Sequence, residues 1–240
     1  MNATPSPRPL PEPRDVRLSL PAAELEGSLA LPDGARGLVL FAHGSGSSRH
    51  SPRNRYVAEI LQAAGLGTLL MDLLTREEDE VDRFTRQFRF DIGLLADRLT
   101  GAIDWLEPQT ETRDLPIGLF GASTGAAAAL RAAAARPDCV RAVVSRGGRP
   151  DLAGAALERV RAPTLLIVGA DDTPVIPLND AARRQMKALV DMRLVPGASH
   201  LFEEPGTLAA ASALARDWFV RQLAPEAKSG SSRSTREQTG

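Results

Sequence analysis

The pentapeptide Gly121-Ala122-Ser123-Thr124-Gly125 constrains this chain more than any other stretch. It follows a short apolar run, Pro116-Ile117-Gly118-Leu119-Phe120, and opens an alanine-rich run from Ala126 to Ala135 that stops at Arg136-Pro137. That order reads as strand, sharp turn, helix. A serine at the tip of such a turn holds its hydroxyl clear of both elements. The helix must pass close to the strand it has just left, so the positions two before and two after the serine have room for almost no side chain. Gly121 and Gly125 meet that need, and glycine tolerates unusual backbone angles. A glycine-rich turn without chemistry would show the same five residues, so the rest of the chain has to decide between the two.

Around this turn, strand and helix patterns alternate. Val16 to Leu20 alternates with period two, Leu25 to Leu31 follows, and the pair is expected as an antiparallel hairpin at a sheet edge. Residues 37–42 form a continuous apolar run, as in a strand covered on both faces; 67–73 and 163–169 read as further buried strands, 116–120 and 140–144 as strands, and 191–195 as a last strand. Ser51 before Pro52 reads as a helix start. Further helices are expected from Phe88 to Pro108, over 178–189 and over 208–223. The charged run from Arg76 to Glu80 reads as a solvated segment, or, with Phe84 and Phe88, as a flap over a pocket. Two leading strands followed by strand–helix units predict an α/β domain over 15–224: a mostly parallel twisted sheet, helices on both faces. Only 18 residues separate Val144 from Pro163, too few for a separate cap domain. The proline-rich segment 1–14 and the segment 225–240 are expected to be disordered tails.

Of the 240 residues, 43% are hydrophobic and 25% charged, and the formal net charge is −1. That balance supports a real core and offers no bulk attraction to nucleic acid or to an anionic membrane. No stretch suits a bilayer span, and the N-terminus lacks the apolar core of a secretory signal, so the cytoplasm is the expected location. The lone cysteine, Cys139, excludes an internal disulfide and reads as a small buried hydrophobe. Oligomeric state is left open.

A serine hydroxyl needs a base, and the base needs an orienting partner. The histidines are at 43, 50 and 200. His200 lies in the loop between the last strand and the last helix, on the same sheet edge as the Ser123 turn, where a general base belongs. The preceding strand ends in Ala170-Asp171-Asp172, and one of the two aspartates is placed to orient the imidazole. The oxyanion of acyl transfer needs two backbone N–H donors. Thr124, after the nucleophile and at a helix N-terminus, offers one, and Ser45, in the loop His43-Gly44-Ser45-Gly46, offers the second. His43 reads as a residue that shapes this loop. Arg146 and Arg149 flank Gly147-Gly148 on the same edge; one of them would receive a substrate carboxylate, or both are loop arginines, solvated or salt-bridged. No ligand-spaced cluster implies a metal, and no cofactor is implied.

From about Glu24 to Leu223 the chain resembles the α/β-hydrolase superfamily, and within it the small, cap-less dienelactone-hydrolase-like group. The pieces that carry the resemblance are Phe-Ala-His-Gly-Ser-Gly at 41–46, Gly-Ala-Ser-Thr-Gly at 121–125, Gly-Ala-Asp-Asp-Thr-Pro-Val at 169–175 and Pro-Gly-Ala-Ser-His-Leu-Phe at 196–202. The resemblance implies a Ser123–His200–Asp172 triad, selecting Asp172 over Asp171 because Val175 stands where that group's pattern has valine. It also selects Ser45 for the oxyanion loop. Dienelactone hydrolases themselves use a cysteine where this chain has Ser123. The implied activity is a serine carboxylesterase acting on small esters, with a lactonase, thioesterase or acyltransferase on the same residues as alternatives and a non-catalytic ligand-binding relative as the remaining one.

Overall fold

The computed structural model describes residues 10–224. Strands β1 (Arg14–Leu20) and β2 (Ala23–Ala30) pair antiparallel as the expected edge hairpin. They lead into β3 (Leu38–Ala42), β4 (Gly67–Met71), β5 (Ile117–Ala122), β6 (Val140–Arg146), β7 (Thr164–Gly169) and β8 (Val190–Val195). The eight form one sheet in the order β1-β2-β4-β3-β5-β6-β7-β8, antiparallel at β1/β2 and β2/β4 and parallel elsewhere. Every residue of β3, β4, β5 and β7 is buried, as in strands covered on both sides.

Helices α1 (Pro52–Ala63) and α6 (Thr207–Gln222) cover one face, closing over Val39, Phe41, Phe120, Val144 and Ile167. On the other face lie α3 (Ile92–Leu106), α4 (Thr124–Ala135), the 3₁₀ turns Pro150–Arg159 and α5 (Ile176–Gln185). Helix α4 is the centre of that layer: Ala126 to Ala129, Leu130, Ala132 and Ala133 are all fully buried. Alanine has the highest helix propensity and no bulk, so α4 is buried on almost every side without holding its neighbours away. The 3₁₀ turns occupy the short stretch between β6 and β7, and among the described residues no separate cap stands over the sheet edge.

Two expectations need correction, and a third takes form. The charged run is the expected solvated segment, with Arg76, Glu77 and Glu80 exposed, folded as helix α2 (Arg76–Thr85). Thr75 Oγ1 accepts the Glu78 N–H at 3.2 Å and Glu78 Oε2 accepts the Thr75 N–H at 2.8 Å, a capping box. Glu78 then pairs with Arg98 of α3 at 2.7 Å, and buried Asp82 pairs with Arg89 while accepting the N–H groups of Phe88 and Arg89. Phe84 is 89% exposed and covers nothing. Cys139 is exposed, because α4 has already ended at Ala135. Helix α3 starts at Ile92, not Phe88, where Asp91 caps it through the Leu94 N–H at 3.0 Å. Of the two expected tails, residues 10–13 run without regular structure into β1; residues 1–9 and 225–240 lie outside the described residues.

A Cβ at Gly125 would stand 2.2 Å from the Ala42 carbonyl oxygen. Both partners are backbone, so neither side yields cheaply. Gly125→Ala is therefore expected to destabilise the fold by about 3 kcal/mol or more, read as a lower denaturant midpoint at unchanged slope.

Candidate active site

The site is assembled where strands end. At the β5–α4 turn Ser123 adopts φ 51° and ψ −123°; among the non-glycine described residues only Arg86 and Phe202 also have a positive φ. Such a residue costs of order 1–3 kcal/mol and is held by its surroundings. A Cβ at Gly121 would lie 2.4 Å from Ala126 Cα, so the helix can double back on its strand only over a glycine. The Ser123 carbonyl accepts the N–H groups of Ala126 (3.1 Å) and Arg149 (3.0 Å). Although Ser123 stands at the N-cap of α4, its hydroxyl makes no capping bond. A serine there ordinarily spends its oxygen on the helix; this one is left for other use.

The loop after β8 brings His200 to this edge. His200 Nδ1 lies 2.6 Å from Asp172 Oδ2, and the Asp172 side chain is 10% exposed. The carboxylate accepts the Nδ1 proton, which leaves Nε2 as the basic nitrogen. Asp171, its neighbour, is exposed; its backbone N–H donates to the Ala198 carbonyl at 3.0 Å and so supports the histidine loop from below. That loop rests on two glycines. A Cβ at Gly169 would meet the Ala198 carbonyl at 2.2 Å, and one at Gly147 would meet the His200 carbonyl at 2.8 Å. Glu204 accepts the Ser199 N–H at 3.1 Å, and the Ser199 side chain first, then the Glu204 and Ser199 backbone N–H groups, hold its carboxyl below the usual carboxylate range. Gly147 directly follows Arg146, whose carbonyl accepts the Ser123 N–H at 3.4 Å. Serine and histidine thus flank one short segment. Among the described residues, no hydrogen bond joins Ser123 Oγ to His200 Nε2; such contacts commonly tighten only when substrate is bound.

The loop after β3 comes to the other side of Ser123. A Cβ at Gly44 would stand 3.2 Å from Ser123 Cβ. Ser45 and buried Thr124 meet: the Ser45 N–H donates to Thr124 Oγ1 at 3.1 Å. His43 anchors the loop. Its Nε2 accepts the Leu73 N–H at 3.1 Å and its Nδ1 lies 2.9 Å from the Gly44 carbonyl, a pattern that requires a neutral ring with the proton on Nδ1. Beyond this loop, walled by α2, opens a polar cleft of about 1200 Å³ lined by Arg49, Asp72, Thr75 and Arg83 among others.

The two arginines of the β6 loop part company. Arg149 pairs with Asp151 at 2.8 and 2.9 Å, which raises its pKa, and is the salt-bridged loop residue of one expectation. Arg146 is neither solvated nor paired. It is buried, its guanidinium lies 5.9 Å from the Phe120 ring and 5.7 Å from the Phe202 ring, and its Nε and Nη1 have no partner. Burial, with Arg53 nearby, pushes its pKa down to about 10. The sequence reasoning missed Asn179, Glu204 and the Gly147–Gly148 cradle; a lone polar residue on a helix carries no signal of what it will face.

Burial holds the His43 imidazole below its ordinary value of 6.5, against the opposing pull of the Gly44 carbonyl, Asp72 and Asp79. The unfolded chain binds that proton more tightly than the folded one. The stability that neutral His43 contributes is complete above about pH 6.5 and is lost as the pH falls below it, by up to about 1.4 kcal/mol per unit. Denaturation of the wild type and of His43→Asn across pH 5–8 should show the extra acid slope only in the wild type.

Residues 25–223 match the dienelactone hydrolase family. The crystal structure of a dienelactone hydrolase from Anabaena variabilis is 60% identical, with a TM-score of 0.88 over 89% of this chain and 99% of that one. Est1E from Butyrivibrio proteoclasticus is only 15% identical at a TM-score of 0.72, covering 87% of this chain and 98% of its own, and shares the fold. A Mycobacterium tuberculosis protein that carries the provisional name of a phosphoribosyl transferase is 54% identical over 216 residues, 90% of this chain and 48% of its own length. The chain spans about half the length of those curated relatives. It belongs to the dienelactone hydrolase family of α/β hydrolases, whose structural neighbours include esterases.

Proposed function

We propose that this protein is a serine carboxylesterase that hydrolyses small carboxylic esters through an acyl-enzyme. The observation that carries this reading is the 2.6 Å His200–Asp172 contact beside a positive-φ Ser123 whose hydroxyl caps nothing. Ser123 Oγ attacks the ester carbonyl carbon while His200 Nε2 takes the hydroxyl proton. The Thr124 and Ser45 N–H groups receive the oxyanion, the latter by giving up Thr124 Oγ1. Collapse breaks the bond to the alcohol, which leaves with the proton from Nε2. Water, deprotonated by the same nitrogen, then attacks the acyl carbon and restores Ser123. Asp172 holds the ring's tautomer throughout. The scheme calls on no metal or organic cofactor, and it suits the cytoplasm as well as any other aqueous compartment.

Arg146 is the substrate-binding residue in this proposal. A buried guanidinium without a carboxylate is poised for an anionic group on the substrate. Lactone hydrolysis is the second reading, favoured by the name of the 60% identical Anabaena protein. The same residues would serve it, with the alcohol remaining tethered to the acyl group. Thioester hydrolysis and acyl transfer differ only in leaving group and acceptor. Phosphoribosyl transfer, suggested by the Mycobacterium tuberculosis name, is not carried to this chain, which spans about half of that protein.

Ser123→Ala should lower esterase turnover by about 10⁴ or more and abolish labelling by a fluorophosphonate. Peptide mapping of the label onto another residue, or a Ser123→Ala enzyme with most of its activity, sinks the assignment. For Arg146, kcat/KM on acidic and on neutral esters should separate: Arg146→Ala is expected to lose at least about tenfold more on the acidic series, and equal losses would end its proposed role.

A further inference from the structure

We propose that Asn179 is a positioning residue for the oxyanion hole, acting through a chain of hydrogen-bonded amide groups that ends at the Thr124 N–H. The inference rests on the reading of Thr124 as an oxyanion donor. Asn179 is completely buried on α5, the helix that follows the Asp172 loop. Its Nδ2 donates to the Gly148 carbonyl at 3.1 Å and to the Val175 carbonyl at 2.9 Å, while its Oδ1 has no partner. Two carbonyls facing one end of the amide fix its orientation, since the flipped amide would set oxygen against oxygen. A buried amide with an idle acceptor is costly, so its retention asks for a return from the donor end.

That return is visible along the chain. The carbonyl of Gly148 and the N–H of Arg149 belong to one peptide group. Asn179 holds the first, and the second donates to the Ser123 carbonyl at 3.0 Å. The Ser123 carbonyl and the Thr124 N–H belong in turn to the next peptide group, so the last free donor of the series is the one that would face the oxyanion. The groups align head to tail. Each polarises the next, and the positive end adds to that of the α4 N-terminus. The middle of the chain has no room to slip: a Cβ at Gly148 would stand 1.9 Å from Ser145 Oγ and 2.6 Å from Ala126 Cβ. Val175, the other acceptor, donates its N–H to the Asp172 carbonyl at 3.1 Å. One side chain therefore joins the acid's loop, the β6 loop and the nucleophile's turn. Because Ser123 O also accepts the Ala126 N–H at 3.1 Å, the turn stays tied to its helix when the relay is cut.

The test uses Asn179→Ser and Asn179→Ala. A serine hydroxyl bonds the carbonyl four residues earlier, here Val175, but is too short to reach Gly148 as well. Asn179→Ser thus cuts the relay in a folded protein even where Asn179→Ala fails to fold. Turnover of p-nitrophenyl acetate is measured per active site titrated with a fluorophosphonate, beside the affinity for a trifluoromethyl ketone, whose serine adduct carries the oxyanion. Loss of a whole oxyanion donor costs about 10²–10³ in kcat; a donor weakened at second hand should lose about tenfold. The expected result is that fall in kcat, KM within about twofold, an equal fall in ketone affinity and an unmoved acid limb of the pH profile. A folded Asn179→Ser enzyme with wild-type kcat per titrated site overturns the proposal, as does a fall in kcat with unchanged ketone affinity. Full esterase activity in Ser123→Ala, assayed alongside, would instead remove the reading of the site on which the relay depends.

Discussion

Two backbones touch at the heart of this molecule, and the rest is arranged around that contact. The first turn of α4 lies against the end of β3, with Gly125 beneath the Ala42 carbonyl, and doubles back on β5 over Gly121. No side chain intervenes. The consequence is a helix whose N-terminus is pressed into the sheet edge and whose preceding residue, Ser123, is forced to a positive φ. The alanines that follow let the same helix remain buried along its length. Close packing here is what makes the turn both rigid and strained, two properties that a loop on the surface could not combine.

Around that contact, polar groups find partners across the loops. His43 is kept neutral and shared between the Leu73 N–H and the Gly44 carbonyl. Asp172 is spent on His200, Glu204 on the Ser199 N–H, and Arg149 on Asp151. Arg146 stands apart. It is buried between two phenylalanine rings with two of its nitrogens unpartnered, and burial weakens its hold on its proton. Aromatic faces compensate a cation only in part.

The elements that could be read in advance share a cause. Strands β3, β4, β5 and β7 are covered on both faces, so apolar residues dominate them and their order follows from the connections. Ser51-Pro52 marked α1 because the cap and the first-turn proline act locally. Helix α2 escaped because it presents almost no apolar face; its stability lies in the Thr75–Glu78 box and in ion pairs to Arg98 and Arg89. The Thr-x-x-Glu signal was there, but a charged run reads as solvent-facing until its partners are known. Cys139 went wrong for the opposite reason: a residue type that is usually buried sits where the chain has already left the core.

By itself the sequence determined the turn that bears Ser123, the alternation that builds a mostly parallel sheet, and the chain order of serine, aspartate and histidine. These are local properties, set by glycine's missing side chain and by hydrophobic period. Tertiary structure alone decided that Arg146 would be enclosed while Arg149 is paired, and that Asn179 ties three loops together. Each of those outcomes depends on which residues, distant along the chain, arrive at the same strand ends. Spacing in a sequence carries no record of direction in space, and a hydrogen bond needs both.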